Sequence, residues 1–238
     1  MNKIKDQVSV ILPTYNREKF LKRAVEDILN SSYEDIQLIV VNDGSTDSTP
    51  EILNEFSKDI VIIELENNSG TVCVPRNIGI SYSTGEFLVH ADDDVITHKD
   101  KFSILVDAIK NDKDNVLSYG DRIDRHSDGR EVYQKIPNWN PLSATGVDNG
   151  QILYKSRVYK DVDFSWVYRA CDWASCKKFY RLGKFEYVNL PVSTYLWHDD
   201  NRSIKTNGKY PKDEMSESEI NKFAPFINNN YFNNFLDD

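Results

Sequence analysis

The sequence predicts an α/β fold, a mostly parallel sheet with helices on both faces followed by a smaller, less regular half. Three observations carry this. Apolar runs and helix-spaced apolar residues alternate as βαβαβαβ up to Ala91, the runs are compact enough to be buried strands, and 238 residues at 39% hydrophobic content can bury one large core. Right-handed crossovers between parallel strands follow from that order.

Val8 to Leu12 reads as the first strand, and Asn16 precedes a helix over Arg17 to Asn30, where Phe20, Leu21, Ala24, Val25, Ile28 and Leu29 recur at helical spacing. Ile36 to Val41 is the second strand. Asp43-Gly44-Ser45 turns the chain, and Ser48 with Glu51 suits a capping box, with Pro50 in the first helical turn. Ile60 to Leu65 is a third strand, Thr71 to Tyr82 a third helix, and Glu86 to Ala91 a fourth strand running into Asp92-Asp93-Asp94. Thr97 to Ile109 reads as a helix with Thr97 and Asp100 at cap spacing, and Val116 to Tyr119 as a strand.

The rhythm ends near Arg122. Asp128-Gly129 is a hairpin signal, and Ile136 to Gly150, rich in Pro, Asn, Gly and Ser, reads as a long functional loop or lid. A helix from about Ala170 to Leu182, with Trp173, Cys176, Phe179 and Tyr180 on its face, is expected to end in a left-handed cap at Gly183. Phe185 to Val188 and Val192 to Trp197 read as strands, and residues 201–238 as a polar, loosely held tail. The chain thus divides into 1–120, 121–200 within the same domain, and the tail.

The longest apolar stretches run four or five residues, far below the roughly 20 that a membrane-spanning helix needs. Asp6 and Gln7 interrupt the opening, so no secretory signal is expected and the cytoplasm is the expected location. Cys73, Cys171 and Cys176 match neither a disulfide framework nor a zinc spacing. A net charge of −9 argues against nucleic acid as a partner.

In an open parallel sheet, ligands bind beyond the carboxyl ends of the strands. Those ends here are Pro13-Thr14-Tyr15-Asn16-Arg17, Asn42-Asp43-Gly44-Ser45 and Asp92-Asp93-Asp94, and three loops distant in sequence should meet in one crevice. Neither a G-x-G-x-x-G after the first strand nor a G-x-x-x-x-G-K-[ST] is present, which excludes the usual dinucleotide and phosphate-loop fingerprints. If the acidic triplet is extended, Asp92 and Asp94 share a face and Asp93 points away. Paired carboxylates of this kind suit Mg²⁺ or Mn²⁺ carrying substrate phosphates, although a solvated, helix-capping turn is the other reading. Asp43 either closes an Asx-turn or accepts hydrogen bonds from a nucleobase or ribose. Arg76 either lies on the surface of the third helix, contacts phosphate or locks the crevice through a carboxylate.

Taken together these segments resemble the inverting family 2 glycosyltransferases, whose fold is the Rossmann-type GT-A sheet. The matching stretches are V-S-V-I-L-P-T-Y-N-R from Val8, V-N-D-G-S-T-D from Val41, Asn68 onward with Arg76-Asn77, and G-E-F-L from Gly85 leading to the D-x-D of Asp92 to Asp94. The resemblance implies a nucleotide-sugar donor, usually a UDP-sugar. Pro13, Thr14, Tyr15, Asp43 and Arg76 would then lie around the nucleotide, Asp92 and Asp93 near ribose or sugar, and Asp94 on a Mn²⁺ or Mg²⁺ ion. Arg169-Ala170-Cys171-Asp172-Trp173 is similar to the family's acidic segment before a helix, with Cys171 where Glu is common. That makes Asp172 the expected catalytic base, a helix cap being the competing role, with Asp148 the next acid to consider. His198 resembles a late family histidine near the metal or diphosphate, and Trp139 is the expected acceptor platform among tryptophans that are more often core.

The function so implied is metal-dependent, inverting transfer of a hexosyl or N-acetylhexosaminyl group to a glycan, lipid-linked or protein acceptor, with peripheral membrane contact left open. A sugar nucleotidyltransferase is the enzymatic alternative, and a degenerate carbohydrate-binding or scaffold protein the non-enzymatic one.

Overall fold

The structure is a computed structural model that describes residues 3–142, 146–159 and 171–198, with only the backbone of residues 171–174. Among these residues the strands are β1 (Ile4–Thr14), β2 (Ile36–Asn42), β3 (Val61–Glu64), β4 (Gly85–His90), β5 (Val95–Thr97), β6 (Asn115–His126), β7 (Glu131–Gln134), β8 (Ile152–Lys155) and β9 (Lys184–Trp197). The helices are α1 (Glu18–Leu29), α2 (Thr49–Glu55), α3 (Cys73–Ser81), α4 (Lys101–Lys110) and α5 (Cys171–Phe179). The expected tail lies outside the described residues.

One sheet takes in every strand, in the order β3-β2-β1-β4-β8-β6-β9-β5, with β7 paired to β6. The β3-β2-β1-β4 half is parallel throughout, as the strand–helix alternation predicts. Beyond β4 the sheet is mixed: β8 runs antiparallel to both neighbours and meets β4 through two residue pairs, Phe87 with Lys155 and Leu88 with Tyr154. β9 is parallel to β6 and antiparallel to β5.

The first strands are apolar on both faces because both are covered. Val8, Val10 and Leu12 of β1 and Leu38 and Val40 of β2 pack with Leu21, Val25 and Ile28 of α1, Leu53 of α2, and Phe102, Leu105 and Ile109 of α4. On the opposite face Ile39 and Val41 meet Val74 and Ile78 of α3, while Ile11 joins Tyr119, Tyr154 and Phe179. Each such side chain contributes about 1.5–3 kcal/mol over its exposed state, so the two sandwiched layers supply most of the driving force for folding.

Several local expectations are corrected. The segment at Thr97 is the end of β5, hydrogen-bonded opposite Ser193, and α4 starts only at Lys101. β8 escapes the sequence pattern because four apolar residues do not distinguish a strand from a buried turn of helix. The two late strands are one, β9, whose pairing with β6 slips near Pro191, where the polar interruption that suggested two elements lies. Ser48 makes no capping box: Asp47 accepts from the backbone of Thr49 and Glu18, and Glu18 accepts from that of Ser48, so α1 and α2 cap each other. Gly183 has no positive φ and forms no left-handed cap. It is glycine for space, since a Cβ there would meet the Asp114 carbonyl oxygen at 2.5 Å. The hairpin at Asp128-Gly129 forms as expected, with Gly129 at φ +85 and β7 antiparallel to β6.

Trp139 is corrected as well. It is 7% exposed, its ring edge-on to Tyr119 and tilted against Phe185, and it therefore belongs to the core rather than to an acceptor platform. The loop it starts is fastened from inside: Lys101, fully buried, donates from Nζ to the Gly150 carbonyl at 3.0 Å, and Gln151 donates to that of Gly120 at 2.8 Å.

Burial holds the Lys101 amine down to about 8, with Asp148 and Asp92 acting in the opposite sense. An unfolded lysine titrates near 10.4, so between about pH 8 and 10 the unfolded chain binds a proton that the folded chain does not, and stability rises with pH. The urea midpoint of the parent, measured against Lys101→Met, is expected to climb from pH 7.5 to 9.5. A pH-independent difference between the two would show that the amine is not desolvated.

Candidate active site

The carboxyl ends of β1, β2 and β4 lie side by side, and the loops leaving them are tied into one crevice. Asn16, held at φ +52, donates from its backbone to Ser45 Oγ at 2.9 Å and accepts from the Thr46 backbone at 2.8 Å, lacing the first loop to the second. A left-handed residue is tolerated there because Asn is among the few side chains that adopt it. The second loop is bound through Asp43 to the loop that follows β3. Its Oδ1 accepts from the Ser69 backbone at 3.0 Å, and its Oδ2 from Ser69 Oγ at 2.9 Å and from Asn68 Nδ2 at 3.1 Å. Burial raises the Asp43 carboxyl above its ordinary range, and the Ser69 donors pull it back. Asp43 is thus more than an Asx-turn at a strand end: it is a buried clasp, and Gly44 permits it. Gly44 sits at φ +70, and a Cβ there would lie 2.6 Å from the backbone of Asn67 and Asn68.

Thr14, 3% exposed at the end of β1, donates to Asp93 Oδ2 at 3.2 Å. Pro13 is buried beside Val41, whereas Tyr15 is 43% exposed at the rim.

The acidic triplet departs from the extended geometry expected of it. After β4 the chain turns, with the Val95 backbone donating to the Asp92 carbonyl at 3.2 Å, and the alternation of side chains is lost. Asp93 and Asp94 are therefore the two carboxylates bridged by one arginine, and Asp92 is paired separately. Arg17 reaches both members: Nε lies 3.0 Å from Asp93 Oδ1 and Nη2 lies 3.3 Å from Asp94 Oδ2. Arg23 adds a bond from Nη2 to the Asp93 backbone carbonyl at 2.7 Å. Arg76, buried on α3, pairs instead with Asp92 at 2.7 Å. Burial pushes the Asp93 carboxyl up to about 7; Arg17 opposes the shift, while Asp94 and Asp92 add to it.

His198 closes this corner from the end of β9. Its ring stacks on Phe20 with centroids 4.8 Å apart, and Nε2 lies 3.7 Å from Asp94 Oδ2, beyond hydrogen-bond range. Phe20, an apolar position in the helical pattern of α1, is therefore a site residue rather than core. Arg17 also lies over the Phe20 ring, 5.4 Å from its centroid.

Asp148 stands at the second half of the crevice. It pairs with Arg122, itself 2.8 Å from Asp124, and caps the short 3₁₀ turn Asn149–Gln151 in a capping box with Gln151. Asp172 is in the first turn of α5, and its side chain lies outside the described residues. Sequence reasoning missed Arg17, Phe20, Ser69, Lys101 and Arg122 as site or supporting residues. Only Arg17 carried a signal, as a cation at the end of a strand whose neighbours bear carboxylates.

Can these residues hold a divalent cation? Asp94 Oδ2 and His198 Nε2 are near enough for both to reach one ion with ligand bonds of roughly 2.0–2.2 Å, and an oxygen with an imidazole suits Mn²⁺. Among the described residues no group of three or more His, Cys, Asp or Glu forms a complete cage, so remaining positions would fall to water or a phosphate-bearing ligand.

Comparison with known proteins bears on the whole arrangement. The family model described as glycosyl transferase family 2 matches residues 9–172. Glycosyltransferase GlyG of Streptococcus pneumoniae is 30% identical over 220 residues, covering 83% of this chain and 72% of GlyG. Among solved structures, Staphylococcus aureus TarS 1-349 in complex with UDP-GlcNAc superposes with a TM-score of 0.71 at 20% identity, over 95% of this chain and 73% of that one. The mannosyltransferase PcManGT of Pyrobaculum calidifontis, in complex with GDP-Man and Mn²⁺, gives a TM-score of 0.62 at 16% identity, over 92% and 67%. Other curated relatives are much longer, and the chain spans only 22% and 21% of two of them.

The Asp43 clasp generates a test. Gly44→Ala puts a side chain into left-handed backbone against the loop that follows β3, and the thermal midpoint should fall by the equivalent of roughly 1–3 kcal/mol. A parental midpoint would mean that the loops following β2 and β3 do not approach each other as described.

Proposed function

Because the chain belongs to glycosyl transferase family 2 and has the GT-A fold, we propose that it is a metal-dependent inverting glycosyltransferase that moves a hexosyl or N-acetylhexosaminyl group from a UDP-sugar. The observation that carries the reading is the corner at the carboxyl ends of β1 and β4, where Asp94 and His198 stand 3.7 Å apart beside Thr14 and Asp93. UDP-GlcNAc in the TarS complex supports a uridine donor, and Mn²⁺ in the PcManGT complex supports the cation.

In this reading residues 1–120 form the donor half. The nucleotide lies along Pro13, Thr14, Tyr15 and the Asp43 clasp with Arg76 nearby, and ribose or sugar hydroxyls face Asp92 and Asp93. Asp94 and His198 hold Mn²⁺ or Mg²⁺, which when bound supplies positive charge against that developing on the leaving diphosphate. Residues 121–200 form the acceptor half. Asp172 takes the proton of the acceptor hydroxyl as that oxygen attacks the anomeric carbon from the face opposite the diphosphate, which inverts the configuration. The loop ending at Asp148, fastened by Arg122 and Lys101, shapes the acceptor side. The acceptor is a glycan, a lipid-linked saccharide or a protein. No helix among the described residues is long and apolar enough to cross a membrane, and we place the reaction in the cytoplasm, with peripheral membrane contact when the acceptor is lipid-linked.

A UDP-sugar with Mn²⁺ should stabilise the fold, by about 2.7 kcal/mol at 100 times the dissociation constant, and a chelator should remove most of the gain. Asp94→Asn should stay folded and lose the metal-dependent part of that shift. Equal stabilisation by UDP with and without metal would overturn the metal assignment.

For Asp172→Asn, binding and chemistry should separate. The amide is nearly isosteric and caps a helix about as well, so donor and metal affinity should survive while transfer slows on the order of 10² to 10⁴-fold. Transfer and spontaneous donor hydrolysis are to be followed separately, because water can attack without an ordered acceptor. Near-parental transfer would reject Asp172 as the base and direct attention to Asp148.

A further inference from the structure

The oxygen of Asp94 that faces His198 is already in use. Oδ2 lies 3.3 Å from Arg17 Nη2 and 3.7 Å from His198 Nε2, so a cation seated between Asp94 and His198 would lie against the guanidinium. The same guanidinium holds Asp93 through Nε at 3.0 Å. A planar fork spans two carboxylates in a way that an ammonium cannot. Arg17 is also placed to move. Its backbone is fixed at the entry to α1, donating to Thr49 Oγ1, while the side chain is 24% exposed and lies over the face of Phe20. Nη1 takes part in neither carboxylate pair, leaving donors for an incoming anion.

We propose that Arg17 is a placeholder cation that makes metal capture conditional on the donor. Before the donor binds, Arg17 neutralises Asp93 and Asp94 and excludes a divalent ion by occupying its ligand and by repulsion. When a nucleoside diphosphate arrives, its oxygens offer the guanidinium a second anionic partner; Arg17 turns from Asp94 toward the diphosphate and keeps Asp93, and Asp94 is released to the ion. Arg17 is thus a binding and positioning residue for the diphosphate, and the cause of cooperativity between metal and nucleotide. The inference rests on the donor and metal reading given above.

The test measures Mn²⁺ affinity by the loss of the free-ion electron paramagnetic resonance signal, with the full chain, with and without saturating UDP. The parent should bind Mn²⁺ weakly alone and far more tightly with UDP. In Arg17→Gln, Mn²⁺ alone should bind roughly tenfold more tightly, as expected from removing one charge-assisted contact to its ligand, and the enhancement by UDP should shrink. UDP affinity in the presence of Mn²⁺ should fall in the same variant, since its diphosphate has lost a partner. Circular dichroism checks that the variant is folded. If it is not, Arg17→Lys keeps the charge but spans only one carboxylate, and Mn²⁺ alone should shift in the same direction by a smaller factor. Parental Mn²⁺ affinity in a folded Gln variant, or in the Lys variant, overturns the proposal and leaves the donor and metal reading standing. A parent whose Mn²⁺ affinity is insensitive to UDP overturns both.

Discussion

Three consecutive carboxylates at the mouth of a buried sheet cannot be left uncompensated, and much of the surrounding structure answers that constraint. Two of the three are nearly buried, where like charges raise each other's cost of ionisation. The compensation comes from opposite sides. Arg17 at the entry to α1 reaches the carboxylates of Asp93 and Asp94, Arg23 within α1 reaches the Asp93 backbone carbonyl, and Arg76 reaches from α3 to Asp92. Helices on both faces of the sheet are therefore committed to one turn of chain after β4, which explains why arginines occupy positions in α1 and α3 where any polar residue would satisfy helix geometry.

The parallel half of the fold was legible because its signal is local. Val8 to Leu12 and Ile36 to Val41 are apolar at every position but Ser9 and Gln37, and a strand covered on both faces needs that. The crevice was legible for the same reason: strand order places the ends of β1, β2 and β4 together, whatever the side chains do. The second half was not, because its signals are non-local. β8 has four residues and takes its identity from strands on either side of it. Trp139 lies in a stretch that reads as open loop, yet its partners Tyr119 and Phe185 are distant in the chain.

Within the site, residue type was readable and pairing was not. Aspartates at strand ends announce themselves, but which of them act together depended on whether the chain was extended or turned after His90. That choice is made by the backbone bond between Val95 and Asp92 and by an arginine 77 residues from Asp94. The Asp43 clasp shows the same limit. N-D-G-S identifies a turn, whereas the reason Gly44 must be glycine is the approach of Asn67 and Asn68, which no local pattern contains.

The two-pair join between β4 and β8 has a mechanical consequence. A sheet resists twisting in proportion to the backbone ladders that cross it, and here the count drops where the parallel half meets the mixed half. Asp92 to Asp94 leave from one bank of that seam, and Asp148 precedes the strand on the other. The two banks are thus joined by the fewest backbone pairs found between any neighbouring strands among the described residues, and side-chain packing such as that of Leu88 with Tyr154 carries the rest of the join.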